Sequence, residues 1–233
     1  MLGIRSSEKE QMDNFELSGN ELNKTLSGLS IINKYLGNTS ATCKAVKIEI
    51  LKSDKQIKII DLGCGAGDNL RKIAKWCSKN NKQVELLGID GNAHVLKYAT
   101  EKNINNSSIN YLKADILNPE FILPTCNILI SSHFMYHFSD HEFVEFLKKA
   151  KTNITTKIIF SELQRNSFAY SLFKISSALL PFSTIVKQDG LAAIRRSFIK
   201  KELVSILEKA QMKEYQITWK WAFRFLISIE IEK

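Results

Sequence analysis

What this chain lacks narrows it before any motif is read. Its four cysteines, Cys43, Cys64, Cys77 and Cys126, never stand as a C-x-x-C pair. That spacing indicates neither a zinc knuckle nor a disulfide framework, so a reducing cytoplasm is the default compartment. No run of about 18 apolar residues occurs, the length a membrane-spanning helix needs. The opening M-L-G-I-R-S-S-E-K-E has no apolar core of the kind a signal peptide carries. Internal repeats and low-complexity linkers are missing too. The 233 residues, 44% of them hydrophobic, therefore read as one domain with a sizeable core. The net charge is +9, yet no block of five or six like charges exists. The basic surplus reads as solvated helix faces and loops rather than a nucleic-acid footprint, while contact with an anionic membrane surface is compatible with it.

What is present centres on I-I-D-L-G-C-G-A-G-D-N-L, residues 59–70. The β-branched run from Ile57 to Leu62 predicts a buried strand. Glycines 63, 65 and 67 predict a tight turn in which a ligand can approach the backbone. From Asn69 the pattern turns helical, with Leu70, Ile73, Ala74 and Cys77 on one face. Strand, glycine turn and helix build a ligand crevice at a strand's carboxyl end. Three close glycines also occur in ordinary turns, and G-x-G-x-x-G is the dinucleotide fingerprint. That fingerprint fails here because Asp68 stands at its last glycine.

The spacing D-x-G-x-G-x-G resembles motif I of the class I S-adenosylmethionine-dependent methyltransferases. Further strand ends agree with it. Asp90 closes a second strand, Val84 to Ile89, about 20 residues past the turn, where a carboxylate accepts ribose hydroxyls. A third strand, Ile109 to Lys113, runs into Ala114, Asp115 and Ile116. The resemblance implies that Asp115 accepts from the adenine amino group and that Ile116 packs on the ring. It implies that the turn, Gly63, Cys64, Gly65 and Gly67, carries the methionine part of S-adenosyl-L-methionine, with Asp61 near the ammonium group. Gly91 and Ser131 complete the implied cofactor set.

A fourth strand, Asn127 to Ile130, leads into S-S-H-F-M-Y-H-F-S-D. In the family this loop faces the reactive methyl group. Members acting on adenine or glutamine nitrogens often read [DN]-P-P-[YF] here, whereas this chain has Ser131, Ser132, His133 and Phe134. Tyr136, His137, Phe138 and Asp140 resemble the small-molecule subgroup. His133 is the candidate catalytic base if the acceptor is a phenol or enol. His137 reads as a packing or capping residue. His133, His137 and His141 stand four apart, as metal ligands on one helix face would. Ser139 and Asp140 look like a helix start that breaks that face, so no metal is expected.

The resemblance implies a Rossmann-like methyltransferase fold: an α/β, seven-stranded, mostly parallel sheet with a terminal antiparallel hairpin and an N-terminal helical leader. Residues 1–54 form the leader, with Ser18 and Glu21 as a capping box and Gly37 as a stop. Residues 55–161 form the cofactor-binding core, ending in a fifth strand from Lys157 to Ser161. Residues 162–197 read as a substrate-lid insertion, with a helix carrying Phe168, Leu172, Phe173, Ile175, Leu179 and Leu180, then a loop from Ser183 to Gly190. Residues 198–233 hold a closing helix from Lys200 to Ala210 and the hairpin, Tyr215 to Ile231. The implied activity is methyl transfer to a small lipophilic or aromatic acceptor, at oxygen or carbon. An RNA methyltransferase, motivated by charge, and a non-catalytic cofactor-binding protein are the alternatives. No RNA-binding module is visible in the sequence.

Overall fold

The computed structural model describes residues 2–103 and 108–231. Parallel strands form where the sequence is apolar and β-branched: β1 (Ile57–Leu62), β2 (Val84–Asp90), β3 (Ile109–Lys113), β4 (Cys126–Ser132) and β5 (Ile154–Leu163). An antiparallel pair, β6 (Tyr215–Lys220) and β7 (Arg224–Glu230), completes the sheet, ordered β3-β2-β1-β4-β5-β7-β6. The chain winds outward from β1 to β3 and then crosses back to β4. The crevice outside the carboxyl ends of β1 and β4 lies at this reversal, where such sheets bind ligands.

Helices cover both faces, as a parallel sheet requires. They are α1 (Gly19–Tyr35), α2 (Asn38–Leu51), α3 (Asp68–Lys79), α4 (Ala93–Glu101), α5 (Asp140–Asn153), α6 (Ser167–Leu179), α7 (Thr184–Arg196) and α8 (Lys200–Lys209). On one face Leu129, Phe143, Phe160 and Phe198 form a buried core with Leu203 of α8. On the other, Ile59, Leu70, Ile73 and Ile128 meet Val46 of α2. A capping box starts α5: Ser139 Oγ accepts from Glu142 N at 3.3 Å and Glu142 Oε2 accepts from Ser139 N at 2.8 Å. The three spaced histidines therefore share no helix face, since His133 is in a loop and His137 in a 3-10 turn, Met135–His137.

Three local expectations fail. Ser18 makes no side-chain cap, because Gly19 enters α1 with φ +72 and turns the serine away. Residues 183–190 are not a loop but the first half of α7, capped by Ser183, whose Oγ accepts from Val186 N at 3.2 Å. The α6 helix forms as expected, but Phe168, Ile175 and Leu179 face outward, 67%, 64% and 82% exposed. Only its Ala169, Leu172, Phe173 and Ser176 side turns to the crevice.

Residues 4–15 cross the crevice as a strap. The Arg5 guanidinium stacks 4.2 Å over the Phe198 ring and donates to Tyr136 O and Phe138 O at 2.9 and 2.8 Å. Asp189 of α7 accepts from the backbone of Gln11 and Met12 at 2.9 and 3.0 Å. Among the described residues, no helix is long and apolar enough to cross a membrane. The core under this crevice predicts one cost directly. Phe143 is 1% exposed and packs on Phe138, Phe160 and Phe198. Phe143→Ala should destabilise the fold by about 3–5 kcal/mol, read from urea midpoints at unchanged slope.

Candidate active site

A single cavity of about 1260 Å³ runs from the glycine turn, beneath the strap, to the β5–β7 end of the sheet. The turn is built by backbone conformation. Gly63, Gly65 and Gly67 take φ of +61, +50 and +76, the left-handed region that side-chain-bearing residues avoid. A Cβ on Gly63 would fall 2.5 Å from Phe134 Cδ2, so the loop after β4 is packed directly on the turn. A Cβ on Gly65 would meet nothing within 4 Å, leaving open space above the chain for a ligand. Asp90 pins the turn from β2, since its Oδ2 accepts from Gly65 N and its Oδ1 from Asn92 N, both at 3.1 Å.

Gly67 shapes the turn without lining the cavity, and the other implied cofactor residues are brought together with two exceptions. Gly63, Cys64, Gly65, Asp90, Gly91, Asp115 and Ile116 all line the cavity. Gly91 carries the Phe15 ring of the strap, which stands 2.4 Å from where a Cβ would be. Asp115 is exposed, and its Oδ1 accepts from Leu117 N at 3.0 Å, while Ile116 is buried beside it. Burial pushes the Cys64 thiol well up, so it stays protonated and contributes bulk, not a nucleophile. The first exception is Ser131. It is fully buried, off the cavity wall, and its Oγ donates to Leu62 O at 2.8 Å; Ser132 lines the cavity in its place. The second is Asp61, which lies at the end of β1 behind the wall, 1% exposed.

Asp61 tests whether a cationic ligand fits. Neither of its carboxylate oxygens has a hydrogen-bond partner among the described residues. Burial, with the charges of Asp90 and Asp68 adding and Asn69 opposing, raises its pKa to about 8. A buried acid in that state is relieved by an ammonium group at the turn, the group that the methionine part of S-adenosylmethionine carries. The residues present fit the cofactor.

The loop after β4 holds the candidate base in an unusual setting. His133 takes φ +56, its N donates to Ser161 O at 2.9 Å, and its Nε2 is sealed off with no partner. Burial and the adjacent Arg224 guanidinium lower its pKa to about 3. Glu162, fully buried on β5, holds the loop: its Oε1 accepts from Phe134 N and Met135 N at 3.2 and 3.1 Å.

Sequence reasoning missed a polar cluster on the cavity wall. His137 Nδ1 lies 3.1 Å from Asp13 Oδ1, and Arg196 donates to Asp13 Oδ2 at 2.9 Å and to Glu10 Oε1 at 3.3 Å. Burial would raise Asp13, but His137 and Arg196 outweigh it and hold the carboxyl at about 2. Glu10 is raised to about 8 by burial, against the pull of Arg196. Glu10, Asp13 and His137 offer ligand atoms within 4.8 Å of one another, a spacing a metal could use. The Arg196 guanidinium already supplies the positive charge there. No motif flags these residues, because they come from the strap, the β4 loop and α7.

A family model described as a methyltransferase domain matches residues 59–156. A carboxy-S-adenosyl-L-methionine synthase from Campylobacter jejuni subsp. doylei is 26% identical over 176 residues, 70% of this chain and 72% of that protein. Human N-acetylserotonin methyltransferase, solved in complex with SAM, superposes with TM-score 0.67 at 13% identity, over 98% of this chain and 60% of that one. Magnesium protoporphyrin IX methyltransferase from Synechocystis PCC 6803, with bound SAH, gives TM-score 0.59 at 12% identity, over 86% of this chain and 87% of that one. The chain carries a methyltransferase domain at residues 59–156, on the fold of the S-adenosylmethionine-dependent methyltransferases. Its cofactor is S-adenosyl-L-methionine.

Two measurements follow from the cofactor half. Asp90→Ala should weaken S-adenosylhomocysteine binding by about 2–3 kcal/mol in calorimetry, the loss for charged hydrogen bonds to the ribose. Gly65→Arg should abolish it by filling the open space above the turn. Near pH 7 an acid with pKa about 8 is mostly protonated and must ionise to meet the ligand's ammonium. Binding should then release about one proton, measured in buffers of different ionisation enthalpy, and Asp61→Asn should release none.

Proposed function

We propose that this enzyme transfers a methyl group to a small lipophilic or aromatic acceptor, at oxygen or carbon. One observation carries the reading. The cavity that contains the cofactor turn continues, without a break, to a half-apolar chamber walled by Leu163, Ala169, Leu172 and Phe173. Bound at the turn, the cofactor supplies a methyl group activated on a sulfonium. The chain's part is to align the acceptor for in-line displacement and to keep water out. Gly65, Asp90 and Asp115 orient the cofactor. Residues 162–197 and the strap cover the acceptor. The apolar side chains of the chamber wall suit a lipophilic or aromatic acceptor.

The proton-acceptor role expected of His133 does not suit its surroundings. A protonated imidazole would be buried beside a guanidinium, so His133 acts as a neutral group that shapes the chamber. His137 suits the role better. It lines the cavity, and Asp13 fixes one ring nitrogen and would stabilise the charge formed when the other takes a proton. With an acceptor in hand, His137→Ala should lower turnover by about 10²-fold at unchanged cofactor affinity. His133→Ala should lower it less. The reverse order would restore His133 as the base.

The similarity to carboxy-S-adenosyl-L-methionine synthases supports a second reading, in which the cofactor's methyl loses a proton and its carbon takes up carbon dioxide released by a decarboxylating small carboxylic acid, whose own carbon takes the proton. Incubation with methyl-labelled cofactor and panels of phenols, enols, total RNA and small carboxylic acids separates these. Label on a small acceptor supports methyl transfer. Label on RNA contradicts it, and a cofactor heavier by one carboxyl group supports the second reading.

A further inference from the structure

Arg224 is the largest side chain that the fold buries completely, at 1% exposure, and it opens β7 at the mouth of the terminal hairpin. Its Nη1 donates to the carbonyls of Leu36 and Trp221, the latter at 3.3 Å. Its Nε has no hydrogen-bond partner. Among the described residues no carboxylate pairs with it, and desolvation alone lowers its pKa to about 10. Two carbonyl dipoles do not neutralise a full charge, so the guanidinium is incomplete as it stands.

Two other arginines on the cavity wall are different. Arg5 pairs with Asp140, and Arg196 with Glu10 and Asp13. The placement of Arg224 is also informative. It sits opposite Leu163 of β5, on the side of the sheet away from Asp90 and Asp115. With Nη1 committed, the edge formed by Nε and Nη2 is left, and that edge matches the two oxygens of a carboxylate. A single unpaired cation suits a singly charged anion better than a phosphate.

We propose that Arg224 is the anion-recognising residue of the acceptor chamber, and that the acceptor carries a carboxylate. The proposal rests on the methyl-transfer reading and deepens it by naming the acceptor's charged group. The cofactor's amino-acid carboxylate is the other source of this chemistry. The hairpin position favours the acceptor, because the cofactor turn is on β1 and Arg224 stands beyond β4 and β5.

The test uses the full chain saturated with S-adenosylhomocysteine. Matched pairs of small molecules, benzoate with benzamide, 4-hydroxybenzoate with its amide, and hexanoate with hexanamide, are titrated by calorimetry. At least one carboxylate should bind tenfold or more tightly than its amide. Arg224→Gln should erase that preference and Arg224→Lys should keep part of it, with affinity for S-adenosylhomocysteine changed less than twofold in both. Should Arg224→Gln fail to fold, the preference in the unmodified protein still decides. Absence of any carboxylate preference across the panel overturns the proposal. So does a tenfold loss of S-adenosylhomocysteine affinity in Arg224→Gln, which would give the guanidinium to the cofactor. Failure of the unmodified protein to bind S-adenosylhomocysteine at all would strike the methyl-transfer reading itself, a separate result.

Discussion

The contact between Gly63 and Phe134 is the constraint on which the rest of the site depends. A positive φ lets the chain turn sharply out of β1, and the missing Cβ lets the first ring after the β4 loop's histidine lie against that turn. The glycine turn and the loop after β4 are therefore packed surfaces of one another, not neighbours across a flexible gap. Glu162 reinforces the union from β5 by accepting the amides of Phe134 and Met135. On the proposed reading, a methyl group carried by the turn would face this loop, which is the alignment that displacement needs.

Charge shows a second level of organisation. Asp61, His133, Glu162 and Arg224 each hold a buried polar atom without a partner, and all stand at or just past the carboxyl ends of β1, β4 and β5, or beside them on β7. Buried polar groups are otherwise paired in folded proteins. Their clustering at one end of the sheet, with an acid behind the glycine turn and a guanidinium at the hairpin, suits the proposed site, which its ligands would complete electrostatically. The strap contributes in another way. Its acids Glu10 and Asp13 are matched by Arg196 and His137.

How far the sequence could be read depended on whether the determinant was local. The β1 turn and the Asp90 strand end are each specified by adjacent residues, and they stand where the pattern puts them. The α7 helix was illegible because its loop-like residues serve distant partners. Gly190 is small because the Phe173 ring of α6 lies 2.4 Å from where its Cβ would be, and Asp189 is an acid because it holds the strap's amides. Ser131 and Ser132 differ only in which way the strand pleat turns them, and that register is invisible in a two-serine run. Arg224 reads as an ordinary hairpin residue until the sheet places it beside the chamber.

A crystal structure with S-adenosylhomocysteine bound tests the central claim most directly. The account predicts ribose hydroxyls within about 3 Å of the Asp90 carboxylate, adenine against Ile116, and the sulfur facing the chamber walled by His133 and His137. A ligand held elsewhere on the protein, or a sulfur turned away from that chamber, would contradict it.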